Sequence, residues 1–595
     1  MIKFDRPSID SFFRTLNILD FDVDPSEEKI VYSTNLNGYY NLWGMNLKQG
    51  YPYQLTTVNQ MNSFVKFDPN GKHILTGYDT DGDEDYHIYA LPTNGGETTP
   101  LLKTTQEKYY FGDLSEDGQT LYYTTSVDNP NYLNIERLNL VNGKVERLVT
   151  GEGGPCDLLA VSPDETTFAY TKAVGNTSEY GYLFIDKKEV AITPSQEEAH
   201  RVQQAVYFDH NLVLMLTNYQ TEFSYLATYS ISERKFEKLI AVEGHELSDL
   251  TLDKGSNKVY FVAQRGVEDS LYEYNLLTKE LNVIKTPFDI VDRLVLGKKG
   301  SLFALGRSST LPANLFRYTD AKAWVQLSEH KIIGVSDSEL IEPEVFTYSS
   351  YDGLEIEGLF YSPNPENDNG YTILWPHGGP QHAIRKNFSP LFQYLCTQGY
   401  RVFSPNFRGS TGYGESFMKL VNKDWGGGPR LDILTGMDWL DNQDKSTRDK
   451  WFCIGGSYGG YMTLLLHGRH PDRFNAFVDI FGPSNLFTTI ETAPEHWKEA
   501  DRELIGDSVV DRDKLIEDSP MTYIDQMTKP MLVIQGKNDP RVVKIESDVI
   551  VQAMQERGQD IEYLVLEDEG HGFSKTENAI RVYKQMVDFL NKYLK

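Results

Sequence analysis

Gly455-Gly456-Ser457-Tyr458-Gly459-Gly460-Tyr461 contains Gly-x-Ser-x-Gly, set between two apolar runs. Upstream, Lys450-Trp-Phe-Cys-Ile454 reads as a short buried strand, and downstream Tyr461-Met-Thr-Leu-Leu-Leu-His467 reads as a helix. A serine on a strand-to-helix turn of this kind is the nucleophile elbow of an α/β-hydrolase. The turn must be so tight that the serine backbone is strained and its hydroxyl stands up into a cleft. Gly455 and Gly459 are needed because a Cβ at either would meet the adjoining strand or helix. This stretch makes the C-terminal part of the chain a doubly wound, mostly parallel sheet with flanking helices.

The remaining groups follow in the chain order of that fold, serine, acid, then histidine. Met531-Leu-Val-Ile-Gln535 is an apolar strand ending in Gly536-Lys-Asn-Asp-Pro540, which puts Asp539 at a strand's carboxyl end. Ile561-Glu-Tyr-Leu-Val-Leu566 is the next strand, and the loop after it holds His571 between Gly570 and Gly572. Groups that act on a ligand gather at that edge of a parallel sheet. The expected roles are Ser457 as nucleophile, His571 as general base and acid, and Asp539 as the group that orients the imidazole. Asp568 is a rival acid, but three residues from His571 is too local for the usual arrangement. Thr372-Ile-Leu-Trp375 runs into Pro376-His377-Gly378-Gly379-Pro380, a glycine-rich turn suited to an oxyanion hole. Its expected donors are the backbone N–H groups of Tyr458 and Gly379. Phe481, Phe487, Ile490 and Trp497 follow the nucleophile helix and are candidates for an apolar substrate pocket, with core packing an equal reading for half of them.

The front half is periodic. Polar turns recur at Asp24, Asp68, Glu116, Asp164, Asp209, Asp253 and Lys298, 44 to 48 residues apart, the unit at Asp209 matching least well. Each is followed by alternating runs such as Thr120-Leu-Tyr-Tyr-Thr124 and Lys258-Val-Tyr-Phe-Val262. About four short strands per unit of this length is the signature of a β-propeller. Seven turns predict seven blades over 17–335, followed by the hydrolase at 340–595. Residues 1–16 are expected to form a segment docked back on the hydrolase.

A net charge of −29 argues against nucleic acid or an anionic membrane as partner. No apolar run approaches 18 residues. The start of the chain lacks a signal peptide's basic and apolar regions, and Cys156, Cys396 and Cys453 are scattered, so a cytoplasmic location is expected. A homo-oligomer is left open. No cofactor or metal is expected. Asp79–Asp85 imitates a calcium loop but lacks the glycine and glutamate that loop requires, so it reads as a solvated blade turn. His467 and His470 have no accompanying ligand cluster.

Together, Pro376-His-Gly-Gly-Pro380, Asn406-Phe-Arg-Gly-Ser-Thr-Gly-Tyr-Gly414, the elbow, Asn538-Asp-Pro-Arg541 and Gly570-His-Gly572 resemble the prolyl oligopeptidase family of serine peptidases, in the branch with the acylaminoacyl-peptidases. The resemblance covers the last ~250 residues. It implies a propeller capping the hydrolase, short peptides as substrates, and a role for Arg541 in holding a substrate main-chain carbonyl. The chain departs from the family in having Arg541-Val-Val543 where Arg-Val-Pro is usual. Glu197-Glu198 is similar to the glutamate pair with which dipeptidyl peptidases of this family hold a free amino terminus, although such pairs are common in polar segments. A peptidase gated by its propeller is the first expectation. A carboxylesterase, a dipeptidyl-peptidase-like exopeptidase and a non-catalytic scaffold are the alternatives.

Overall fold

In the computed structural model, which describes residues 7–319 and 321–594, every one of the recurrent turns joins the first strand of a blade to its second. The reason is local. Asp24 Oδ1 accepts from the N–H groups of Glu28 and Lys29 at 2.8 and 2.6 Å. Asp68 and Asp209 close their turns in the same way, and Ser115 and Ser162 use their hydroxyls. The described residues form seven four-stranded antiparallel sheets, spanning 18–54, 62–102, 109–150, 156–191, 202–240, 246–284 and 290–326. The unit at Asp209, least regular in sequence, is a complete blade.

Side chains on the first strands staple one blade to the next. Asp20 and Asp22 accept from Val65 N and Phe67 N, both at 2.8 Å. Asp113 accepts from Val161 N, Gln204 from Leu250 N and Asp249 from Leu294 N. Burial pushes the carboxyl of Asp249 up to about 6. The ring closes by packing the last blade on the first: Phe21, Ile30 and Tyr32 share a core with Val295, Phe303 and Leu315.

The second half is one eight-stranded sheet. Its strands are β1 Glu344–Ser349, β2 Glu355–Tyr361, β3 Thr372–Leu374, β4 Arg401–Pro405, β5 Trp451–Gly456, β6 Ala476–Ile480, β7 Met531–Gly536 and β8 Ile561–Leu566. Their spatial order is β1-β2-β4-β3-β5-β6-β7-β8. β1 and β2 form a hairpin, turned at Asp352-Gly353 with Gly353 at φ +91°, and β2 is antiparallel to β4. From β4 to β8 all pairs are parallel. Separate apolar cores lie on the two faces of the sheet, which is what a doubly wound topology requires. The C-terminal helix Thr576–Asn591 covers one of them through Val582, Met586 and Leu590. The short helix Ile9–Phe13 packs against that helix: Phe13 stacks on Tyr583 at 4.5 Å and Arg14 pairs with Glu577 at 2.7 Å. Residues 1–6 of the segment expected to dock there lie outside the described residues.

The two halves are bound together by charge. Arg385 pairs with Asp269, Lys386 with Glu268, and Arg201 with Glu415 at 3.3 Å. Among the described residues no helix is long and apolar enough to cross a membrane.

Candidate active site

The nucleophile elbow is built by steric exclusion. β5 ends at Gly456 and the helix Tyr458–Arg469 begins two residues later, leaving Ser457 alone in the turn at φ 58°, ψ −124°. A Cβ on Gly455 would lie 2.2 Å from Gly459 O, and one on Gly459 would lie 2.1 Å from Pro376 O. Glycine at both sites lets the helix, β5 and the end of β3 approach this closely. The strain at Ser457 is held by packing on all sides, since Tyr458 and Tyr461 are fully buried. Tyr458 also donates its hydroxyl to Trp425 O at 2.6 Å, which fixes the first turn of the helix.

Asp539 and His571 meet beside the elbow. His571 Nδ1 lies 2.6 Å from Asp539 Oδ2. Asp539 Oδ1 accepts from the N–H groups of Arg541 and Val542, both at 2.9 Å, so the carboxylate is immobilised before it touches the imidazole. The proton on Nδ1 then belongs to the contact with Asp539, leaving Nε2 as the basic nitrogen. The Phe481 ring backs the imidazole at 4.5 Å between centroids. Buried Glu569 fixes the loop from the other side, accepting from Ser574 N, Lys575 N and Asn578. Asp568 faces away and pairs with Lys575 at 2.7 Å, so it has no contact with His571.

Tyr458 N–H belongs to the first helical turn, where no carbonyl four residues back can accept it. The loop after β3 lies directly over the serine: a Cβ on Gly378 would be 3.3 Å from Gly456 O and 3.5 Å from Ser457 Cβ. Gly379 follows at φ +119°. His377 secures this loop, bonding Gly378 O at 2.7 Å and Ser410 Oγ at 2.8 Å and stacking on Phe407 at 4.2 Å. Burial pushes its imidazole down to about 3, which keeps it neutral. The run Asn406–Gly414 supports the same loop, with Asn406 bonding Ile384 N at 2.7 Å and Tyr413 at 2.7 Å. These supporting roles were not legible in the sequence motif.

A cavity of about 510 Å³ opens over Ser457 and His571. Gly378, Gly379 and Tyr458 border it on one side, and Arg541 and Val542 on another. Its outer wall is formed by Thr489 from the helix Leu486–Thr492, Ala493 from the extended break after it, Trp497 from the short 3-10 turn Glu495–Trp497, and Asp501 from the helix Lys498–Leu504. Phe487 is not part of this wall. It packs on the core around Leu486 and Leu515 with the Arg512 guanidinium 5.4 Å from its ring, and does not line the cavity. Ile490 packs on the same core. Trp497 is in the wall, with the Arg541 guanidinium 5.7 Å from its ring.

The propeller reaches this site through the Asp79–Asp85 turn, which the sequence presents as a solvated loop. The turn is instead wedged against the loops that carry Asp539 and His571. Glu84 pairs with Arg541 at 2.6 Å and Asp81 with Lys575 at 2.9 Å. Asn538, next to the acid, donates to Asp81 O at 3.1 Å. Gly82 touches Gly570 so closely that a Cβ on either would overlap the other's backbone. Glu197 and Glu198 are exposed in the connection between the fourth and fifth blades, and neither borders the cavity. His467 is buried and accepts from Lys529 N at 3.0 Å. No group of metal-binding side chains occurs among the described residues.

Residues 386–595 match the prolyl oligopeptidase family, so this part of the chain is a domain of that family. Dipeptidyl aminopeptidase BIII of Pseudoxanthomonas mexicana is 43% identical over 211 residues, covering 35% of this chain and 31% of that protein. The acylamino-acid-releasing enzyme of Arabidopsis thaliana is 26% identical over 362 residues, 56% of this chain and 45% of the plant protein. The chain thus spans less than half of the length of these relatives. A Mycobacterium tuberculosis puromycin-hydrolyzing peptidase has the same fold over 98% of this chain and 96% of its own, with a TM-score of 0.85 at 18% identity. The Pyrococcus horikoshii acylaminoacyl peptidase superposes over 100% of this chain and 98% of its own, with a TM-score of 0.76 at 19% identity.

Proposed function

We propose that this protein is a serine peptidase that hydrolyses short peptides through an acyl-enzyme on Ser457. The observation that carries the reading is one cavity bordered by Ser457, His571, Tyr458 and Gly379, with His571 already paired to Asp539. Ser457 Oγ attacks the scissile carbonyl carbon as its proton passes to His571 Nε2. The oxygen becomes an oxyanion between the N–H groups of Tyr458 and Gly379. The tetrahedral intermediate collapses, and the leaving amine takes the proton from His571. Water then repeats the sequence with the acyl-enzyme and releases the carboxylic acid. Asp539 orients the imidazole and stabilises the imidazolium. Arg541 and Trp497 hold the peptide beside this centre.

The propeller sets the size of the substrate. Its second blade touches the acid and histidine loops, and its fourth meets the cavity wall, where Asn176 N donates to Glu503 at 2.8 Å. A folded protein cannot bring an extended segment under such a cap. In a length series with one cleavable bond, read by mass spectrometry, short peptides are expected to be cut and casein left whole. Efficient digestion of casein would overturn the gating. A fluorophosphonate is expected to label Ser457 alone, with label and turnover both absent in Ser457→Ala.

The names of several relatives support a second reading, removal of dipeptides from a free amino terminus. Comparing acetylated with free dipeptidyl p-nitroanilides separates it from the first. A matched p-nitrophenyl ester tests the carboxylesterase alternative.

A further inference from the structure

Asp501 stands in the wall of the cavity that holds Ser457, one helical turn beyond Trp497. Trp425, Pro483, Ala493, Leu504 and Ile505 give the same space apolar walls, with Gln381, His382 and Thr489 as polar neighbours. The other charged group there, Arg541, is already neutralised by Glu84. Among the described residues no cation and no hydrogen-bond donor is paired with the Asp501 carboxylate, whereas its neighbours are fully engaged. Arg502 pairs with Glu499 and Asp507, and Glu503 accepts from Asn176 N and Asn422. Asp501 is also the only carboxylate among the described residues that line this cavity. Asp501 is half-buried, and desolvation pushes its carboxyl up to about 6, so at neutral pH it is an anion in the cavity wall with no counter-charge beside it. An apolar pocket with an anion in its wall complements a side chain with an aliphatic stem and a cationic head.

Resting on the serine peptidase reading above, we propose that Asp501 is a specificity-determining residue, selecting substrates whose acyl side carries an ammonium or guanidinium group. Two parts of a peptide can supply that cation. One is a lysine or arginine that contributes the scissile carbonyl, and the other is the free amino terminus of a very short peptide. In either case the cation enters the cavity beside Ser457, and Asp501 pairs with it.

The test uses lysine and its uncharged analogue norleucine, each as an acetyl-alanyl coumarylamide and as the corresponding p-nitrophenyl ester. Free alanyl-norleucine coumarylamide and its ester form the third arm. Wild type is expected to favour lysine, or the free amine, over acetyl-alanyl-norleucine by about 10-fold or more in kcat/KM, as a charge-assisted contact allows. Asp501→Asn should collapse that ratio and Asp501→Leu should invert it. Fluorophosphonate labelling of Ser457 reports that each variant is folded. The arm whose ratio collapses identifies the source of the cation. Ratios near one in wild type, or ratios that survive both substitutions, would overturn the proposal. The esters keep this outcome separate from the peptidase reading. If esters are cleaved and amides are not, the peptidase reading fails while the ester ratios still decide the role of Asp501.

Discussion

Gly82→Ala places a methyl group where the second blade meets the loop that carries His571. Its Cβ would lie 2.5 Å from Gly570 N and 2.7 Å from Gly570 Cα. Carbon contacts settle near ~3.5 Å, so the two loops must part by about 1 Å. Neither side yields easily. The blade turn is tied by Glu84–Arg541 and Asp81–Lys575, and the histidine loop by Glu569. Gly82 also sits at φ +80°, a conformation that costs a non-glycine residue ~1–2 kcal/mol. Gly570 precedes His571, so the displacement is passed directly to the imidazole. A misplacement of this size in a catalytic group costs ~10²-fold in rate. Gly82→Ala should therefore lower kcat by ~10² on esters and peptides alike. Gly244→Ala separates contact from strain, because Gly244 has φ +69° but nothing within 4 Å of the new Cβ. That control should lose some thermal stability and keep its turnover. The assay is kcat on an ester and a peptide, with thermal unfolding of each variant. If Gly82→Ala turns over as fast as Gly244→Ala, the propeller does not set the position of His571, and the reasoning fails.

Other expectations follow from the same geometry. Asp539→Asn should lower kcat by ~10³–10⁴ because the imidazole loses its orienting acceptor, while Asp568→Asn should change it little; the reverse ranking in steady-state kinetics would make Asp568 the acid. Arg541→Ala should reduce kcat/KM for a peptide far more than for a small aryl ester, which has no main-chain carbonyl for it to hold. Equal losses would mean that the loop around Asp539 had been damaged. Asp501→Asn should raise the melting temperature at pH 8. The folded-state value of about 6 lies above the ordinary 3.8, so the penalty is full above pH 6 and fades as pH falls toward 3.8. At ~1.4 kcal/mol per pH unit the gain is at most about 3 kcal/mol, reduced where the group borders the open cavity. A stabilisation that grows as the buffer is made more acidic would contradict this sign.

Much of the molecule was legible in sequence because the controlling interactions are short-range. A blade turn is closed by Asp24 or Ser115 bonding an N–H four or five residues on, so it repeats wherever those residues repeat. The elbow is local in part, since Gly455 has no room for a Cβ against Gly459 O four residues on, whereas Gly459 is excluded by Pro376 O from the neighbouring strand end; the carboxyl-end positions of Asp539 and His571 follow from the parallel strands before them. What the sequence could not express are contacts that exist only once two separately folded bodies meet. The pairing of Glu84 with Arg541 and the contact of Gly82 with Gly570 join residues more than 450 positions apart, and no periodicity in either half encodes them. For this reason Asp79–Asp85 read as a solvated turn although it braces the loops that carry Asp539 and His571. The outer wall of the cavity is a further case. Its residues come from two short helices broken at Ala493-Pro494, so no single period in the sequence marks them. Which side chains reach the cavity depends on how these pieces seat against the sheet and the fourth blade, and that seating puts Phe487 on the core and Asp501 in the wall.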